Sequence, residues 1–493
     1  MTISRTNATL RLWLLCMVTS AFFCVQGSPN AVTRMALSIG MVERHELTIG
    51  KMADLTVDKA LVGRAYYADK APGLSFLALP VTYLVVKVLD RGGDGHAWFR
   101  ADGQLSTAFW LLCSVATLST VSLLAALAVV GVYRWSLWRG ASEQAALTGA
   151  VLLGFATPAC GWATVFFGHA ASGALTFIGF ALLVVALERD DAARPSPVWS
   201  AWLAGLAFGL AFTIDFPAGP AIGVSGIACA VVAARRPNRW RLLLRVFIPA
   251  CLVMLLTLIP LLVYNAVAFG TPFRLGYENV QGFSGMKTGF FGISLPNRAV
   301  ATELLFGGYR GLLPLSPVLV LFPLAAAVAL RDPAWRLAGV VSILVFVYYL
   351  CLNAGYYYWD GGYSTGPRHL VAALPFLALT FVPLWDRAGT ALRSLVGLLL
   401  AVSFAMSMIA VSIDMQASND LTHAPITDIL LPKFLSGEFD RAMTTRLLGI
   451  KGVFALVPLL LVWAILVAPL RPTLPGVRSR GLVGAENRTP TVP

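Results

Sequence analysis

The sequence predicts an all-α polytopic membrane protein with about twelve transmembrane helices and further juxtamembrane helices on the periplasmic side. Of its 493 residues, 58% are hydrophobic and only 12% are charged, and the mean hydropathy is +0.76. Soluble domains carry about 25% charged residues, so this composition indicates a chain mostly dissolved in lipid. The net charge of +13 comes largely from Lys and Arg in short loops between apolar runs. That pattern reports topology and does not indicate a nucleic-acid-binding surface.

Twelve apolar runs are candidates to cross the bilayer, which requires about 20 residues per helix. They are residues 12–26, 105–133, 145–164, 171–187, 199–214, 218–234, 246–269, 313–330, 337–353, 370–384, 394–413 and 452–470. Residues 1–470 are therefore expected to form a single transmembrane domain. Residues 471–493 are expected to form a disordered cytoplasmic tail, because they are rich in Pro, Gly and Arg.

Basic loops alternate with longer, aromatic-rich loops along the chain. Residues 235–245 alone contain five Arg, and the positive-inside rule puts such loops and both termini in the cytoplasm. The alternation of cytoplasmic and outer loops holds only if residues 74–90 do not cross the membrane. This short segment contains Pro80 and Lys87, so we expect an interfacial or re-entrant helix on the outer side. Residues 30–46 have the apolar spacing of a second helix, expected to lie on the surface.

The first apolar run has two interpretations. Arg5 and Arg11 precede residues 12–25, as in a secretory signal peptide, but no good small-x-small cleavage site follows. An uncleaved first helix is therefore the favoured interpretation. The seven cysteines lie in or beside apolar runs without a CxxC or Cys/His cluster, so neither a disulfide framework nor a zinc site is predicted.

Most of the polar material lies in loops expected on the outer side, chiefly residues 28–104, 270–312 and 355–369. In the first of these, residues 66–73 read Tyr-Tyr-Ala-Asp-Lys-Ala-Pro-Gly and place Asp69 and Lys70 where the chain re-enters the bilayer. Charged residues at that depth are costly without a partner or a function. Lys70 is a candidate to bind an anionic lipid-linked group. The alternative is a Lys that snorkels beside Asp69.

Two arginines and two aromatic residues are candidate ligand-binding groups. Arg310 and Arg368 each stand close to a Gly and offer forked donors suited to phosphate. Either could instead be tied to backbone or carboxylate groups. Tyr66 and Trp359 have rings that could stack on a sugar or form part of an interfacial aromatic belt.

Groups that could accept a proton occur in the same outer regions. Asp58 and Asp69 lie in the first loop, and a carboxylate facing a desolvated hydroxyl can have its pKa raised into a useful range. His169 stands at an outer helix end, where the alternative is a hydrogen bond within the bundle. Asp215, with Pro217 two residues later, could equally cap a helix end.

At these residues the chain resembles bacterial members of the GT-C superfamily of membrane glycosyltransferases, which are related to protein O-mannosyltransferases and lipid A aminoarabinose transferases. The matching stretches are residues 66–80, 269–277, 309–311 and 359–370. The resemblance implies transfer of a sugar from a polyprenyl-phosphate donor to a periplasmic or lipid-linked acceptor, at the outer face of the bacterial inner membrane. It also implies that Lys70, with Arg310 or Arg368, stabilises the departing polyprenyl phosphate.

One departure from that family concerns the general base. Related enzymes have an acidic residue just after the first helix, where this chain has Asn30, which cannot accept a proton. Asp58 and Asp69 are the nearest substitutes, and Asp58 is favoured because Asp69 can pair with Lys70. His169 stands where related enzymes can carry a second polar residue of the active site. A divalent metal is compatible with the resemblance, although the sequence contains no dedicated set of ligands.

Two other functions fit parts of the sequence. A transporter or flippase of a lipid-linked or sugar substrate would also need polar groups and broken helices, but near the middle of the bilayer. The polar groups here gather at one face, which favours an enzyme. A catalytically silent scaffold of the same fold is the third interpretation, because of Asn30.

Overall fold

The computed structural model describes residues 5–24, 27–90, 98–189, 198–417 and 422–468, so the predicted tail at 471–493 lies outside the described residues. The α-helices of this part are α1 (Arg5–Phe22), α2 (Pro29–Ile39), α3 (Gly73–Asp90), α4 (Thr107–Thr117), α5 (Leu123–Trp138), α6 (Glu143–Phe155), α7 (Ala159–Trp162), α8 (Gly168–Arg189), α9 (Trp199–Ile214), α10 (Ala218–Ala234), α11 (Arg239–Leu242), α12 (Ile248–Phe269), α13 (Arg298–Phe306), α14 (Leu312–Leu315), α15 (Phe322–Arg331), α16 (Arg336–Gly355), α17 (Leu374–Arg387), α18 (Thr390–Ile413), α19 (Leu431–Ser436), α20 (Met443–Leu448) and α21 (Val457–Val467). The strands β1 (Lys59–Val62) and β2 (Ala65–Ala68) form an antiparallel hairpin.

Seven helices of the described part are long and apolar enough to cross a membrane, judged by length and composition: Gly73–Asp90, Thr107–Trp138, Gly168–Arg189, Arg239–Phe269, Arg336–Gly355, Arg368–Arg387 and Thr390–Ile413. Shorter apolar helices occupy Trp199–Ile214, Ala218–Ala234, Pro317–Arg331 and Gly452–Val467. Every predicted run overlaps a helix. The chain is an integral membrane protein of the all-α class, as the composition predicted.

Two of the predicted spans are broken helices. Within residues 145–164, α6 ends at Phe155, and Pro158 separates it from the short α7. Within residues 313–330, Pro317 begins a 3₁₀ turn that divides α14 from α15. Proline has no backbone N–H to continue a helical ladder, which accounts for both breaks.

Helix α3 nearly matches the predicted segment 74–90 in length, but it is one continuous apolar helix. It runs without interruption for 18 residues through Pro80, and its length and composition would allow it to cross a membrane. Its shortness therefore no longer argues against crossing. Its expected interfacial position rests on the charge alternation alone and stays a prediction.

Helix α2 does not lie on an open surface as expected, because residues 30–39 are all buried. Ser28 caps its first turn with its side chain. Ser38 Oγ donates to the carbonyl of Ser75 at 2.9 Å, and Ser75 Oγ donates to the carbonyl of Arg34 at 2.8 Å. These bonds join α2 to the start of α3, which leaves the polar side chains of α2 facing protein.

The loops predicted to be cytoplasmic meet at one end of the molecule, called here the basic end. Arg139 donates to the carboxylate of Glu188 and to the carbonyl of Ala334. The backbone N–H of Ser142 donates to Asp386 at 3.0 Å. Four loops that are distant in sequence therefore lie at the same end of the helix bundle.

Helix ends gather again at the opposite end, called here the site end. The start of α8 and the end of α9 lie there, since Glu188 near the other end of α8 is at the basic end. The segment before α3 joins them, because a Cβ added to Gly73 would lie 2.5 Å from the Thr213 carbonyl. Polar residues that cap or follow these helices consequently face one another.

Candidate active site

A polar cleft opens at the site end, and its chemistry-bearing lining residues are Asn30, Arg34, Asp58, Asp69, Lys70, His169, Asp215, Tyr277, Arg368 and His369. The cleft encloses about 610 Å³, including space open to solvent. Five of the eight residues that the sequence predicted for the site lie in it. Three, namely Arg310, Tyr66 and Trp359, do not line it.

Lys70 lies between two carboxylates. Its Nζ is 3.0 Å from Asp58 and 2.8 Å from Asp69. The hairpin explains this arrangement, because Lys59 pairs with Ala68 and the next pair in register is Asp58 with Asp69. Burial acts to lower the pKa of Lys70, but the two carboxylates outweigh it and raise the pKa, so the ammonium stays charged.

Asp69 is the more deeply buried of the two carboxylates, with 1% of its surface exposed. Burial raises its pKa to about 6, against the opposing effect of Lys70. Its Oδ1 has no hydrogen-bond partner among the described residues, although Oδ2 accepts from Lys70. An unpaired buried oxygen is costly and is a place for a ligand donor.

Arg34, which the sequence interpretation assigned to a surface helix, is buried in the wall of the cleft. Its Nε donates to Asn30 Oδ1 at 2.9 Å, and its Nη1 donates to the carbonyl of Ala71 at 2.9 Å. Burial lowers the pKa of Arg34, although nearby carboxylates oppose the shift. Asn30 thus serves as the hydrogen-bond acceptor that holds Arg34 in place.

His169 and Asp215 form a hydrogen-bonded pair, which joins the start of α8 to the end of α9. His169 Nδ1 lies 2.8 Å from Asp215 Oδ2, and Ser172 Oγ lies 3.4 Å from the same oxygen. Burial acts to raise the pKa of Asp215, but His169 and Arg34 hold it below its usual value. The pair has the geometry of a carboxylate that orients an imidazole.

Two donors that follow Pro367 lack partners. Arg368 lines the cleft with its guanidinium 5.4 Å from the Phe167 ring centre, and its buried Nε has no hydrogen bond among the described residues. No carboxylate of the described part forms an ion pair with it. His369 packs against His169 at 4.9 Å between ring centres, and its buried Nε2 also lacks a partner.

Arg310 is tied to backbone groups, which was the alternative to phosphate binding. It is fully buried, and it donates from Nε to the carbonyl of Asp360 and from Nη2 to the carbonyl of Gly362, both at 2.7 Å. Its guanidinium also lies 3.7 Å from the Tyr309 ring centre. A phosphate could bind it only by displacing these bonds. Arg310 instead fixes the loop that precedes Arg368.

The two predicted aromatic residues lie outside the cleft. Tyr66 belongs to β2, where Lys59 Nζ lies 4.9 Å from its ring centre. Trp359 packs edge-on against Tyr309 at 6.1 Å. The aromatic residues that do line the cleft are Phe167, Tyr277, Phe283, Tyr356, Tyr357 and Tyr358.

An apolar cavity of about 1330 Å³, including space open to solvent, adjoins the polar cleft. Most of its wall is aromatic or aliphatic, from Phe212, Phe216, Leu275, Phe290, Phe291, Ile293, Tyr348 and Leu352. The two spaces share His169, Asp215, Tyr277, Tyr356 and His369. A ligand that fills both therefore needs a polar head and a long apolar part.

The cleft does not offer a recognisable metal site. Within the described ranges, no group of three or more His, Cys, Asp or Glu side chains is arranged to hold a metal ion. Asp58 and Asp69 share the single ammonium group of Lys70, which occupies one oxygen of each. The lining fits an anion held by Lys and Arg better than a divalent cation, which would need several free oxygen ligands.

Comparison with known proteins shows the fold. No family model matches the chain, and no curated protein sequence matches it. Its structure is similar to ArnT, an aminoarabinose transferase from Cupriavidus metallidurans bound to undecaprenyl phosphate, with a TM-score of 0.54 and 15% identity. The match covers 83% of this chain and 65% of that one. The chain has the GT-C fold.

Two further solved structures are similar to the chain at lower TM-scores. ArnT in the apo state gives a TM-score of 0.49 with 15% identity over 82% of this chain and 63% of that chain. An oligosaccharyltransferase from Archaeoglobus fulgidus gives 0.46 with 10% identity over 85% and 58%. In all three cases the chain spans less than two thirds of the matched protein. The GT-C resemblance read from the sequence is confirmed for the fold.

Proposed function

We propose that the chain transfers a sugar from a polyprenyl-phosphate donor to an acceptor hydroxyl, in the polar cleft at the periplasmic face of the bacterial inner membrane. The observation that carries this proposal is a polar cleft, lined by Arg368 without a carboxylate partner among the described residues, that joins a large apolar cavity at the ends of membrane helices. A polyprenyl phosphate has the matching chemistry, with an anionic head and a long hydrocarbon tail. The ArnT structure bound to undecaprenyl phosphate supports the same class of donor.

Arg368 is the proposed partner of the donor phosphate. Its guanidinium lacks a carboxylate among the described residues, whereas Lys70 is already neutralised by Asp58 and Asp69. Charge grows on the phosphate as the glycosidic C–O bond breaks, and a fixed, unpaired cation stabilises that charge most strongly. Lys70 then supplies a hydrogen bond from a fixed position. The unpartnered Nε2 of His369 is a further donor toward the same anion.

His169 is the proposed general base. Asp215 holds its Nδ1 at 2.8 Å, which leaves Nε2 as the ring nitrogen available to the acceptor hydroxyl. Asp58, favoured on sequence alone, is engaged by Lys70 at 3.0 Å, so its carboxylate is less available to an acceptor hydroxyl. In a single displacement the acceptor oxygen attacks C1, its proton passes to His169, and polyprenyl phosphate leaves. The anomeric centre is inverted.

The test is transfer from radiolabelled polyprenyl-phosphate sugars by the purified chain in proteoliposomes. We expect a new glycosidic product from the wild type, and a loss of about 10²- to 10³-fold in turnover for Arg368→Ala. Arg100→Ala is the matched control, because Arg100 is exposed and its one ion pair within the described ranges is with Asp102. Sugar movement without a new glycosidic bond would support a transporter, and inactivity with every donor would support a scaffold. Normal turnover in Arg368→Ala would refute its assigned role.

A further inference from the structure

A second concave surface lies beside the polar cleft, on the other side of the loop that Arg310 holds. It is an open groove of about 740 Å³, called here the aromatic groove, and its functional lining is Glu303, Tyr309, Trp359 and His423. A contiguous depression follows α13 past Arg298 and Thr302. None of these side chains has a part in the proposed transfer step.

The rings of the groove are arranged as a corner. Tyr309 and Trp359 meet at 88° with 6.1 Å between ring centres. His423 meets Tyr309 at 73° and 5.2 Å, and it is exposed. A flat ligand can therefore lie on one ring while its edge contacts another.

Two polar groups at the rim of this corner, from Glu303 and Trp359, can form hydrogen bonds with a ligand. Glu303 Oε1 accepts the backbone N–H groups of Tyr309 at 3.0 Å and Arg310 at 3.3 Å, so the carboxylate is held in place. Its Oε2 has no hydrogen-bond partner among the described residues. The indole N–H of Trp359 likewise has none there. A carboxylate oxygen and an indole N–H offer one acceptor and one donor to a ligand.

This combination matches a sugar better than a lipid or a peptide. The C–H face of a pyranose is apolar and packs on an aromatic ring, while its edge hydroxyls need donors and acceptors. A hydrocarbon chain would cover the rings but leave Glu303 desolvated and unpaired, which is costly. The groove has no free cation cluster suited to a phosphate, since Arg310 is buried beneath it.

We infer that the aromatic groove binds a saccharide and that the acceptor in the proposed reaction is a glycan. The first part stands on the groove alone, and the second rests on the proposed function. The link between them is the loop itself, in which Tyr356, Tyr357 and Tyr358 line the polar cleft and Trp359 lines the groove. A glycan seated on Trp359 therefore lies next to the site of transfer.

The binding test uses saturation-transfer difference NMR on the full chain in nanodiscs. The probes are the methyl α- and β-glycosides of glucose, mannose and galactose, with maltose and cellobiose. We expect saturation at sugar ring protons with the wild type, and an affinity lower by about tenfold or more in Trp359→Ala and in Glu303→Gln. Trp240→Ala is the control, because Trp240 is an exposed tryptophan at the start of α11.

Two outcomes would overturn the saccharide site: no saturation by any probe, or equal affinity in Trp359→Ala and wild type. Trp359→Phe keeps an aromatic face and should retain binding, which separates a lost contact from a misfolded variant. If probes bind but no donor sugar is transferred, the proposed function fails and the binding site stands. If transfer occurs while Trp359→Ala leaves the Michaelis constant for every glycan acceptor unchanged, the acceptor assignment fails.

Discussion

The pairing of His169 with Asp215 makes His169 the proposed base in place of Asp58, which the sequence favoured. If His169 accepts the proton, His169→Gln should reduce turnover by about 10²- to 10⁴-fold. Asp58→Asn should reduce it less, because Asp58 acts through its ion pair with Lys70. The measurement is single-turnover transfer with each variant at saturating donor.

Replacement of Asp215 adds a second readout. In Asp215→Asn the imidazole loses the carboxylate that orients it through Nδ1, so turnover should fall while the Michaelis constant for the donor stays close to the wild-type value. If instead Asp58→Asn is the more damaging change and the His169 variants keep the wild-type rate, Asp58 is the base.

The buried Asp69 predicts a pH dependence of stability. Its pKa of about 6 lies above the unfolded value near 4. A carboxyl with a raised pKa contributes stability that is complete below the unfolded pKa and is lost as pH rises through about 6. Asn cannot ionise, so Asp69→Asn should gain stability relative to wild type between pH 4 and 7, by at most about 3 kcal/mol.

Thermal unfolding in detergent at pH 4.5, 5.5 and 7 measures this difference. Asp69→Asn also changes the bond to Lys70, so the test is how the stability difference between variant and wild type changes with pH, and not its sign at one pH. The control is Asp102→Asn, an exposed carboxylate whose replacement should give a difference that does not change with pH. A difference that is also flat for Asp69→Asn would show that Asp69 ionises normally.

Single residues of the site were predictable where a local signal exists. Lys70 and Asp69 stand out as charges at a bilayer boundary, and Arg368 as a cation among glycines and aromatic residues. The burial of Arg34 also has a local signal, because the polar residues Asn30, Arg34 and Ser38 recur every four residues and so share one helix face. His169 and Asp215 are 46 residues apart. Only the packing of α8 against α9 brings them together, and no sequence spacing encodes that contact.

At the scale of elements, small residues set how closely the site helices approach. Gly173 lies one turn after His169 in α8, and a Cβ there would lie 2.5 Å from the Ala372 Cα. Ala372 follows Arg368 and His369 in the same 3₁₀ turn. The contact therefore fixes the distance between the proposed base and the proposed phosphate-binding residues.

Gly173→Ala is expected to destabilise the fold by about 1–3 kcal/mol through overpacking against backbone. It should also lower turnover, because α8 must move away from the turn that carries Arg368. Gly226→Ala in α10 is the matched control, since no atom lies within 4 Å of its added Cβ. Equal melting temperatures and rates for both variants would mean that this helix contact does not position the site.

The positions of the membrane helices were predictable from composition, but their ends, breaks and burial were not. Each apolar run became a helix, because a chain in lipid must satisfy its backbone within helices. Pro158 and Pro317 interrupt their runs, while Pro80 and Pro260 lie inside continuous helices. A proline alone does not decide between these outcomes, which depend on whether neighbouring elements satisfy the freed carbonyl. Contacts with neighbouring elements also bury α2, although its apolar spacing predicted a surface helix.

At the scale of the whole molecule, the two ends differ in charge and in chemistry. Arg139, Arg236 and Arg387 lie at the basic end, with the proposed catalytic groups at the other. The positive-inside rule therefore predicts that the site end faces the periplasm. The charge alternation that predicted this arrangement used no structural information, and the convergence of the basic loops agrees with it.

The orientation can be measured by labelling single cysteines in intact cells with a membrane-impermeant maleimide. Cys251 and Cys351, the exposed native thiols of the described part, are first replaced by Ser. Thr288→Cys lies in an exposed loop of the site end and should be labelled directly, whereas Gln144→Cys at the basic end should be labelled only after permeabilisation. The reverse pattern would turn the cleft toward the cytoplasm and exclude a periplasmic acceptor.

The same assay decides the position of α3. If α3 is interfacial, Asp90→Cys at its exposed end should be labelled in intact cells together with Thr288→Cys. If α3 crosses, Asp90→Cys should react only after permeabilisation, together with Gln144→Cys. Because Lys70 lies just before α3, a crossing helix would anchor the phosphate-binding segment across the full bilayer. An interfacial helix would leave a lateral opening beside Lys70, through which a lipid-linked donor could enter the cleft from the membrane.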